Sequence, residues 1–357
     1  MKKKLLKALI GIVIVILLIG LIMLGIREIY KFNNAQKLKI DGPNIIDEQM
    51  YVEIGGIDQW ITIRGEDRAN PILLTVPGGP GSTYTVFNSL LREWEKHFTV
   101  VQWDPRGAGK TFGKNGIEGS GSLTFDLLVH DGIELSEYLL EYFGQEKLIL
   151  LGSSVGSIIA MKMVKEKPEL FHAYVGTDQN VGADPNHISY NLAVNALEEA
   201  DDEKKLQEVA SIGPDKSLWS QEEFDTMNKI MVNLMPGVPH MIKDLNGRYM
   251  FFSPDHGIKD IINIFNGMNF SLDMLFEEIM AFDAYELSLD YDLPFFIFHG
   301  ESDIITPTAL AKEYFDAVEA PHKEFVFIKD AGHLAAFAQP DQFLEELIQR
   351  VRPLVEE

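Results

Sequence analysis

The sequence contains no cysteine and comparatively few basic residues. Without cysteine the chain cannot form disulfides, thiol nucleophiles, iron–sulfur sites or cysteine-based zinc sites. It has 31 lysines and arginines against 54 aspartates and glutamates, which gives a net charge of −23. A surface of that sign repels nucleic acid and anionic lipid, so we expect no nucleic-acid partner.

Metal-binding and nucleotide-binding motifs are also lacking. The sequence has no HExxH motif, EF-hand pattern or paired-histidine spacing. Arg106–Thr111 (RGAGKT) resembles the end of a phosphate-binding P-loop, but that motif needs glycine where Asp104 stands. It also needs a helix from Lys110, and Phe112–Gly121 predicts a glycine-rich loop. We therefore expect no metal and no cofactor, and interpret the match as a structural turn.

An apolar run near the N-terminus is long enough to cross a membrane. Residues 8–26 are uncharged and almost wholly apolar, and about 20 helical residues span the bilayer core. The alternative is a cleavable signal peptide, but its apolar core is shorter, roughly 7–15 residues, and small residues precede its cleavage site. Here Ile26, Arg27 and Glu28 follow the run. We predict a single-pass anchor that contacts the lipid bilayer through residues 8–26.

Charges on either side of this run bear on its orientation. Lysines precede the run at positions 2, 3, 4 and 7, and lysine and arginine favour the cytoplasmic side. Basic residues also follow it, at Arg27, Lys31, Lys37 and Lys39, and these weaken the bias. We expect the N-terminus inside the cell membrane and the body of the protein outside.

The body alternates predicted strands and helices. After a polar tether (27–48), the segments Tyr51–Ile54 and Gln59–Arg64 flank Gly55-Gly56 and predict a β-hairpin. Short apolar runs, typical of strands buried on both faces of a parallel sheet, then recur at Pro71–Val76, Phe98–Trp103, Lys147–Leu151, Ala173–Gly176, Pro294–His299 and Glu324–Ile328. Helical patterns lie between them at Leu123–Phe143, Ser157–Lys167 and Gln342–Val351.

Between residues 181 and 290 helical patterns dominate, which predicts a helical insertion. They include Asn191–Ala200 and a capping box at Ser220–Glu223. Eight of the 13 methionines fall here, and they either line a pocket or fill gaps between the helices. The aromatics Phe224, Phe251, Phe252 and Phe276 suggest an apolar wall or, equally, the insertion's own core.

The strongest local motif is Gly152-Ser153-Ser154-Val155-Gly156. This G-x-S-x-G sequence follows a predicted strand and precedes a predicted helix. A nucleophile elbow has this setting, because the serine occupies a strained turn that needs small neighbours. We predict Ser154 as a nucleophile, the alternative being a tight turn whose glycines serve packing alone.

A nucleophilic serine needs a base and an orienting acid. His333 and Asp303 follow the last two predicted strands, in the chain order serine, acid, histidine. We predict Asp303 as the acid and His333 as the base, with Glu301 and Asp330 as rival acids. Stabilising an oxyanion takes two amides: that of Val155, after the nucleophile, and one in the loop Pro77–Gly81 (PGGPG).

Taken together, the motifs GGPG, DPRGAG, GSSVG, GESD and AGH resemble those of the α/β-hydrolase fold, and specifically the proline iminopeptidase-like serine peptidases. The resemblance covers about residues 50–355. It implies oxyanion amides at Gly79 and Val155, and a helical cap over the site. The chain departs from the family at Pro77, where histidine is usual, and at Val155, where tryptophan is usual. Cap glutamates bind the substrate amine in that family, and no cap glutamate here aligns with them; the candidates are Glu198, Glu199, Glu277 and Glu278.

The expected fold is thus an α/β-hydrolase, a mostly parallel sheet flanked by helices, with a helical cap and an N-terminal transmembrane helix. The expected segments are an anchor (1–26), a tether (27–48), a first core part (49–180), the cap (181–290) and a second core part (291–357). The expected function is a membrane-anchored serine hydrolase, an aminopeptidase acting on small peptides or amides. An ester hydrolase and a binding protein of the same fold without turnover are the alternatives.

Overall fold

An eight-stranded sheet forms the centre of the molecule. The computed structural model describes residues 2–182 and 184–355. The ends of the predicted anchor and second core part, at positions 1 and 356–357, and position 183 of the predicted cap lie outside the described residues.

The strands form one sheet in the order β1-β2-β4-β3-β5-β6-β7-β8. The first two make an antiparallel hairpin, β2 pairs antiparallel with β4, and the other pairings are parallel. The hairpin and all six strands predicted after it are confirmed, but the last strand lies at the sheet edge and is only partly buried, with Phe327 exposed. The strands are β1 (Ile46–Ile54), β2 (Ile57–Gly65), β3 (Ile72–Val76), β4 (Thr99–Asp104), β5 (Leu148–Ser153), β6 (Phe171–Thr177), β7 (Phe295–Gly300) and β8 (Lys323–Ile328).

Helices cover both faces of the sheet, as the uninterrupted apolar strands require. On β3, Ile72, Leu74 and Val76 pack into one core, whereas Leu73 packs into a second core on the other face. The helices outside the insertion, apart from the N-terminal one, are α2 (Gly109–Ser120), α3 (Phe125–Phe143), α4 (Val155–Glu166), α10 (Thr308–Ala317), α11 (Ala335–Ala338) and α12 (Pro340–Glu346).

The chain between β6 and β7 is helical, apart from turns. Its helices are α5 (Ile188–Glu199), α6 (Glu203–Ile212), α7 (Gln221–Leu234), α8 (Val238–Asp244) and α9 (Ile258–Ala281). The predicted capping box is present at the start of α7, where Ser220 and Glu223 bond each other's backbone amides. Three of these helices (α5, α6 and α7) enclose a small core of their own, with Leu197, Val209 and Met227 at its centre.

Helix α2 corrects part of one prediction, because a glycine-rich loop was expected over Phe112–Gly121 and the segment instead forms helical turns on both sides of a kink at Gly116, whose φ is 65°. The Asp104 carboxylate accepts a hydrogen bond from the Lys110 amide at 2.8 Å, so it satisfies a free amide in the first turn of this helix. The Lys110 side chain donates to the Asp255 carbonyl at 2.8 Å and lies over the Trp60 ring. A carboxylate at the helix start and an engaged lysine are both contrary to phosphate binding.

The N-terminal helix α1 (Lys2–Lys37) runs beyond the apolar run, which corrects the predicted tether over its first eleven residues. The helix is long and apolar enough to cross a membrane, and its apolar side chains are exposed. Its last part instead packs on the segment Phe251–His256. Arg27 is 2% exposed and donates to the Phe251 and His256 carbonyls at 2.9 and 2.7 Å, and Asn34 donates to the Phe252 carbonyl at 3.1 Å.

Candidate active site

Ser154 occupies a strained turn between β5 and α4. Its φ of 52° and ψ of −123° are unusual for a residue with a side chain. The turn needs glycine at position 156, because a Cβ there would lie 2.2 Å from the Val76 carbonyl oxygen. At Gly152 a Cβ would lie 2.7 Å from the Ala160 side chain. The small residues of the motif therefore let α4 pack closely against the sheet while Ser154 projects from the turn.

His333 and Asp303 extend a line of hydrogen-bonding groups from Ser154. The His333 Nε2 atom lies 3.2 Å from the Ser154 hydroxyl oxygen, and Nδ1 lies 2.8 Å from Asp303 Oδ2. These three residues come from loops that follow β5, β7 and β8. The carboxyl ends of parallel strands meet at one edge of the sheet, which is how residues up to 179 positions apart come into contact.

The Asp303 carboxylate is buried but well supplied with donors. It accepts hydrogen bonds from the Ile305 and Thr306 amides at 2.9 and 3.1 Å and from the Thr306 hydroxyl at 2.8 Å. Burial raises the pKa of a carboxyl group, but the charge and hydrogen bond of His333, with smaller contributions from His299 and the Thr306 hydroxyl, outweigh burial, so the pKa of Asp303 falls below its usual range. Asp303 is therefore an ionised partner for His333.

The rival acids lie elsewhere. Glu301 and Asp330 are both exposed, and the Glu301 carboxylate accepts a hydrogen bond from the Asp330 amide at 2.8 Å. That bond ties together the loops after β7 and β8. Of the three carboxylates considered from sequence, Asp303 is the one bonded to His333.

Sequence reasoning missed Asp178, a fully buried carboxylate that follows β6. It accepts hydrogen bonds from the Ser153 hydroxyl and the Ala335 amide, each at 3.0 Å. Ser153 in turn accepts from the Tyr84 hydroxyl at 2.8 Å. Asp178 thereby links the elbow strand to the loop that carries His333. Its position directly after a central parallel strand was the available signal.

Asp178, Asp303 and His333 also bring their ligand-type atoms within 4.8 Å of one another. Hydrogen bonds already engage these atoms. Asp303 binds His333, and Asp178 binds Ser153 and Ala335. The cluster is therefore arranged to orient an imidazole, and the absence of a metal stays an expectation from sequence.

Two carboxylates near one imidazole favour its protonated form. Burial lowers the pKa of His333, but the charge and hydrogen bond of Asp303, with a further contribution from Asp178, together outweigh burial. The pKa of His333 is therefore raised above its ordinary value of 6.5.

The glycine-rich loop after β3 lies beside Ser154. A Cβ on Gly78 would lie 2.8 Å from the Ser154 Cβ, so the loop approaches the elbow closely. The Gly78 amide donates to the Tyr84 hydroxyl at 3.2 Å, whereas Gly79 lines the same cavity as Ser154 and Val155. Gly79 and Val155, the predicted oxyanion residues, are therefore together at the cavity wall.

A cavity of about 370 Å³ opens above Ser154, between the sheet edge and the helical insertion. Its wall is largely apolar and includes Met231, Met250 and Met268. The predicted aromatic wall is only partly right. Phe224 lines the cavity, but Phe251 and Phe252 pack against α1 instead, through Arg27 and Tyr30 respectively.

The glutamates considered as amine ligands do not reach this cavity. Glu198, Glu199 and Glu277 are exposed, and Glu278 accepts a hydrogen bond from the Phe125 amide at 3.1 Å. Among the residues that the structure describes, no aspartate or glutamate lines the cavity.

Comparison with known proteins agrees with this architecture. The family model described as alpha/beta hydrolase fold matches residues 71–215. The chain has the α/β-hydrolase fold. It is a hydrolase that resembles the proline iminopeptidases. A probable aminopeptidase, YbaC of Bacillus subtilis, is 28% identical over 84% of this chain and 95% of its own length. A proline iminopeptidase of Saccharolobus solfataricus is 22% identical over 89% of this chain and 97% of its own length.

Solved structures resemble the chain in fold. A proline iminopeptidase-related protein from Thermus thermophilus aligns with a TM-score of 0.55 at 20% identity, covering 87% of this chain and 99% of that one. A membrane phospholipase A, described as a bacterial virulence factor, aligns over 100% of both chains with a TM-score of 0.62 at 13% identity.

The His333 environment can be tested by NMR titration of its imidazole. We expect a pKa above 6.5, because Asp303 stabilises the imidazolium. Asp303→Asn should lower that pKa by about 1 or more, the usual effect of losing an adjacent opposite charge. The matched control is Asp330→Asn, which removes an exposed carboxylate and should leave the pKa unchanged. An effect of Asp330→Asn equal to that of Asp303→Asn would contradict the assignment.

Proposed function

We propose that this hydrolase is a serine hydrolase in which Ser154 is the nucleophile, His333 the base and Asp303 the orienting acid. The observation that carries the proposal is the unbroken hydrogen-bonded line from Ser154 through His333 to Asp303, at 3.2 and 2.8 Å, beside an apolar cavity. A nucleophile in reach of a base, with the base held by a third group, is the arrangement that acyl transfer requires.

The chemistry follows from these contacts. The Ser154 oxygen attacks the substrate carbonyl carbon while His333 Nε2 accepts its proton, and the amides of Gly79 and Val155 donate to the developing oxyanion. The imidazolium then gives the proton to the leaving amine or alcohol, and an acyl ester of Ser154 remains. Water, deprotonated by His333, attacks that ester and releases the acid. Asp303 keeps Nδ1 protonated throughout, so Nε2 is the atom free to accept.

Two candidate substrate classes share this mechanism. Small peptides or amides with a free N-terminal amine are favoured by the relatives, which are named aminopeptidase and proline iminopeptidase. Carboxylic esters are favoured by the cavity, since a protonated amine buried there would meet no carboxylate on the described lining. A binding protein without turnover is the remaining alternative, and covalent labelling of Ser154 separates it from both.

Replacing Ser154 tests the nucleophile. Ser154→Ala should abolish turnover of small amides and esters, and labelling by a fluorophosphonate, because only the attacking oxygen is lost. Circular dichroism and thermal unfolding should stay close to wild type. Ser157→Ala, one turn along α4, is the matched control and should still be labelled. Labelling of the Ser154→Ala protein would overturn the assignment.

The amine requirement separates the two substrate classes. If the chain is an aminopeptidase, N-acetylation of a prolyl amide should lower kcat/KM at least about tenfold, as loss of one charge-assisted contact predicts. A short acyl ester, assayed in parallel, reports the other class. Fast ester cleavage with no effect of acetylation would show an esterase whose resemblance to iminopeptidases is one of ancestry.

We further propose that residues 8–26 anchor the protein in the cell membrane, with the catalytic domain outside. Continuity supports this: α1 passes without a break from the apolar run into the part docked by Arg27. Burying those apolar side chains in lipid would remove them from water, where they are otherwise exposed.

Membrane fractionation tests the anchor. The full chain should stay with membranes after a high-salt wash, because apolar insertion is insensitive to screening. A chain that begins at Arg27 keeps the contacts with Phe251 and His256 and should be recovered in the soluble fraction. Protease added to intact cells should degrade the catalytic domain, and protection there would overturn the proposed orientation.

A further inference from the structure

The wall of the cavity above Ser154 includes one lysine side chain, that of Lys216. Lys216 belongs to the short turn between α6 and α7, immediately before the buried Trp219, which also lines the cavity. Apart from His333, the other described residues of the lining are apolar or neutral. Because no carboxylate lines the cavity among the described residues, Lys216 makes the cavity wall favourable for negative rather than positive groups.

Lys216 has no close counter-ion among the described residues. Asp184 is the acidic group near enough to favour its charged form, but the bonds found for the Asp184 carboxylate are to residues 188 and 189 rather than to Lys216. Asp184 is instead engaged at the start of α5, where it accepts from the Ile188 amide at 2.6 Å and the Ser189 hydroxyl at 2.6 Å.

Lys216 is half-buried at the cavity wall, and its ammonium group there carries a desolvation cost that is only partly compensated. Burial lowers the pKa of Lys216, and the charge of Asp184 only partly opposes that effect. A bound anion would restore the missing interactions of the ammonium group, whereas a protonated amine would be repelled by it. The overall charge of −23 does not cancel this preference, because salt screens charges beyond roughly 8 Å.

We propose that Lys216 forms an anion subsite, and that the natural substrate carries a carboxylate in addition to the scissile carbonyl. This inference rests on the proposed serine hydrolase function and defines its substrate class. The carboxylate could belong to the acyl part or to the leaving group, since both must pass through this cavity. Lys216 is then a specificity-determining residue, and it selects against substrates with a free amine near that position.

Two matched pairs of esters test the subsite. On the acyl side, the 4-nitrophenyl monoester of glutaric acid is compared with 4-nitrophenyl pentanoate. On the leaving-group side, 3-carboxyphenyl butyrate is compared with phenyl butyrate. In at least one pair the acid should have the higher kcat/KM, and the responding pair identifies which part of the substrate carries the carboxylate.

Substitution at Lys216 connects the preference to this residue. In the responding pair, Lys216→Met should lower the ratio of kcat/KM for the acid to kcat/KM for the neutral ester at least tenfold. Lys216→Arg keeps the positive charge and should largely keep this ratio. Lys204→Met, an exposed position on α6, removes the same charge outside the cavity and should leave the ratio unchanged. A preference for the neutral ester in both pairs, or a ratio unaffected by Lys216→Met, would overturn the inference.

A binding measurement keeps the inference separate from turnover. Monomethyl glutarate should bind the Ser154→Ala protein at least tenfold more tightly than dimethyl glutarate in calorimetry, and Lys216→Met in that background should abolish the difference. Equal binding would refute the subsite. If the wild-type protein hydrolyses none of the esters and is not labelled by a fluorophosphonate, the serine hydrolase proposal is refuted. The binding result would still test the anion subsite independently.

Discussion

Close packing of α4 against the sheet is the constraint on which the site depends. The Gly156 position lies against the Val76 carbonyl, and Gly152 lies against Ala160, so the chain must turn sharply between β5 and α4. Ser154 carries the resulting left-handed conformation. Such strain persists only where the surroundings over-determine it, and here two buried cores, one on each face of the sheet, do so. The serine hydroxyl is thereby fixed before any substrate arrives.

Around that turn, buried carboxylates hold the remaining groups in place. Asp303 fixes the His333 ring from one side, and Asp178 ties the adjacent Ala335 amide to Ser153. Burying two carboxylates is costly, and hydrogen-bond donors with a shared imidazole offset the cost. The same arrangement raises the pKa of His333, so the rigidity of the site and the proton affinity of its imidazole have a common origin.

The helical insertion contributes a different kind of environment. It supplies apolar side chains and Lys216 to the cavity, and through Phe251–His256 it contacts α1. The element that roofs the cavity is therefore in contact with the element long enough to cross a membrane. The carboxylate-rich exterior, with its net charge of −23, contrasts with a cavity lined by no described carboxylate.

Local sequence determined the strands, the hairpin, the elbow motif and the apolar helix, because each depends on periodicity, turn residues or a short run of neighbours. The order of motifs along the chain was enough to nominate Ser154, Asp303 and His333. It favoured Asp303 over Glu301 and Asp330 by position alone, whereas only the structure shows which carboxylate faces the imidazole. It also missed the helical turns of Gly109–Ser120 on either side of Gly116, where the Asp104 carboxylate accepts a hydrogen bond from the Lys110 amide.

Tertiary structure alone decided the contents of the cavity. Lys216 occurs in a short segment with no distinguishing pattern, and it matters only because the fold brings it beside residues distant in the chain. Likewise Phe251 and Phe252 belong to the apolar insertion by composition, yet they pack on α1 rather than over Ser154. Periodicity reports whether a side chain is buried, whereas only the packed structure determines which groups surround it.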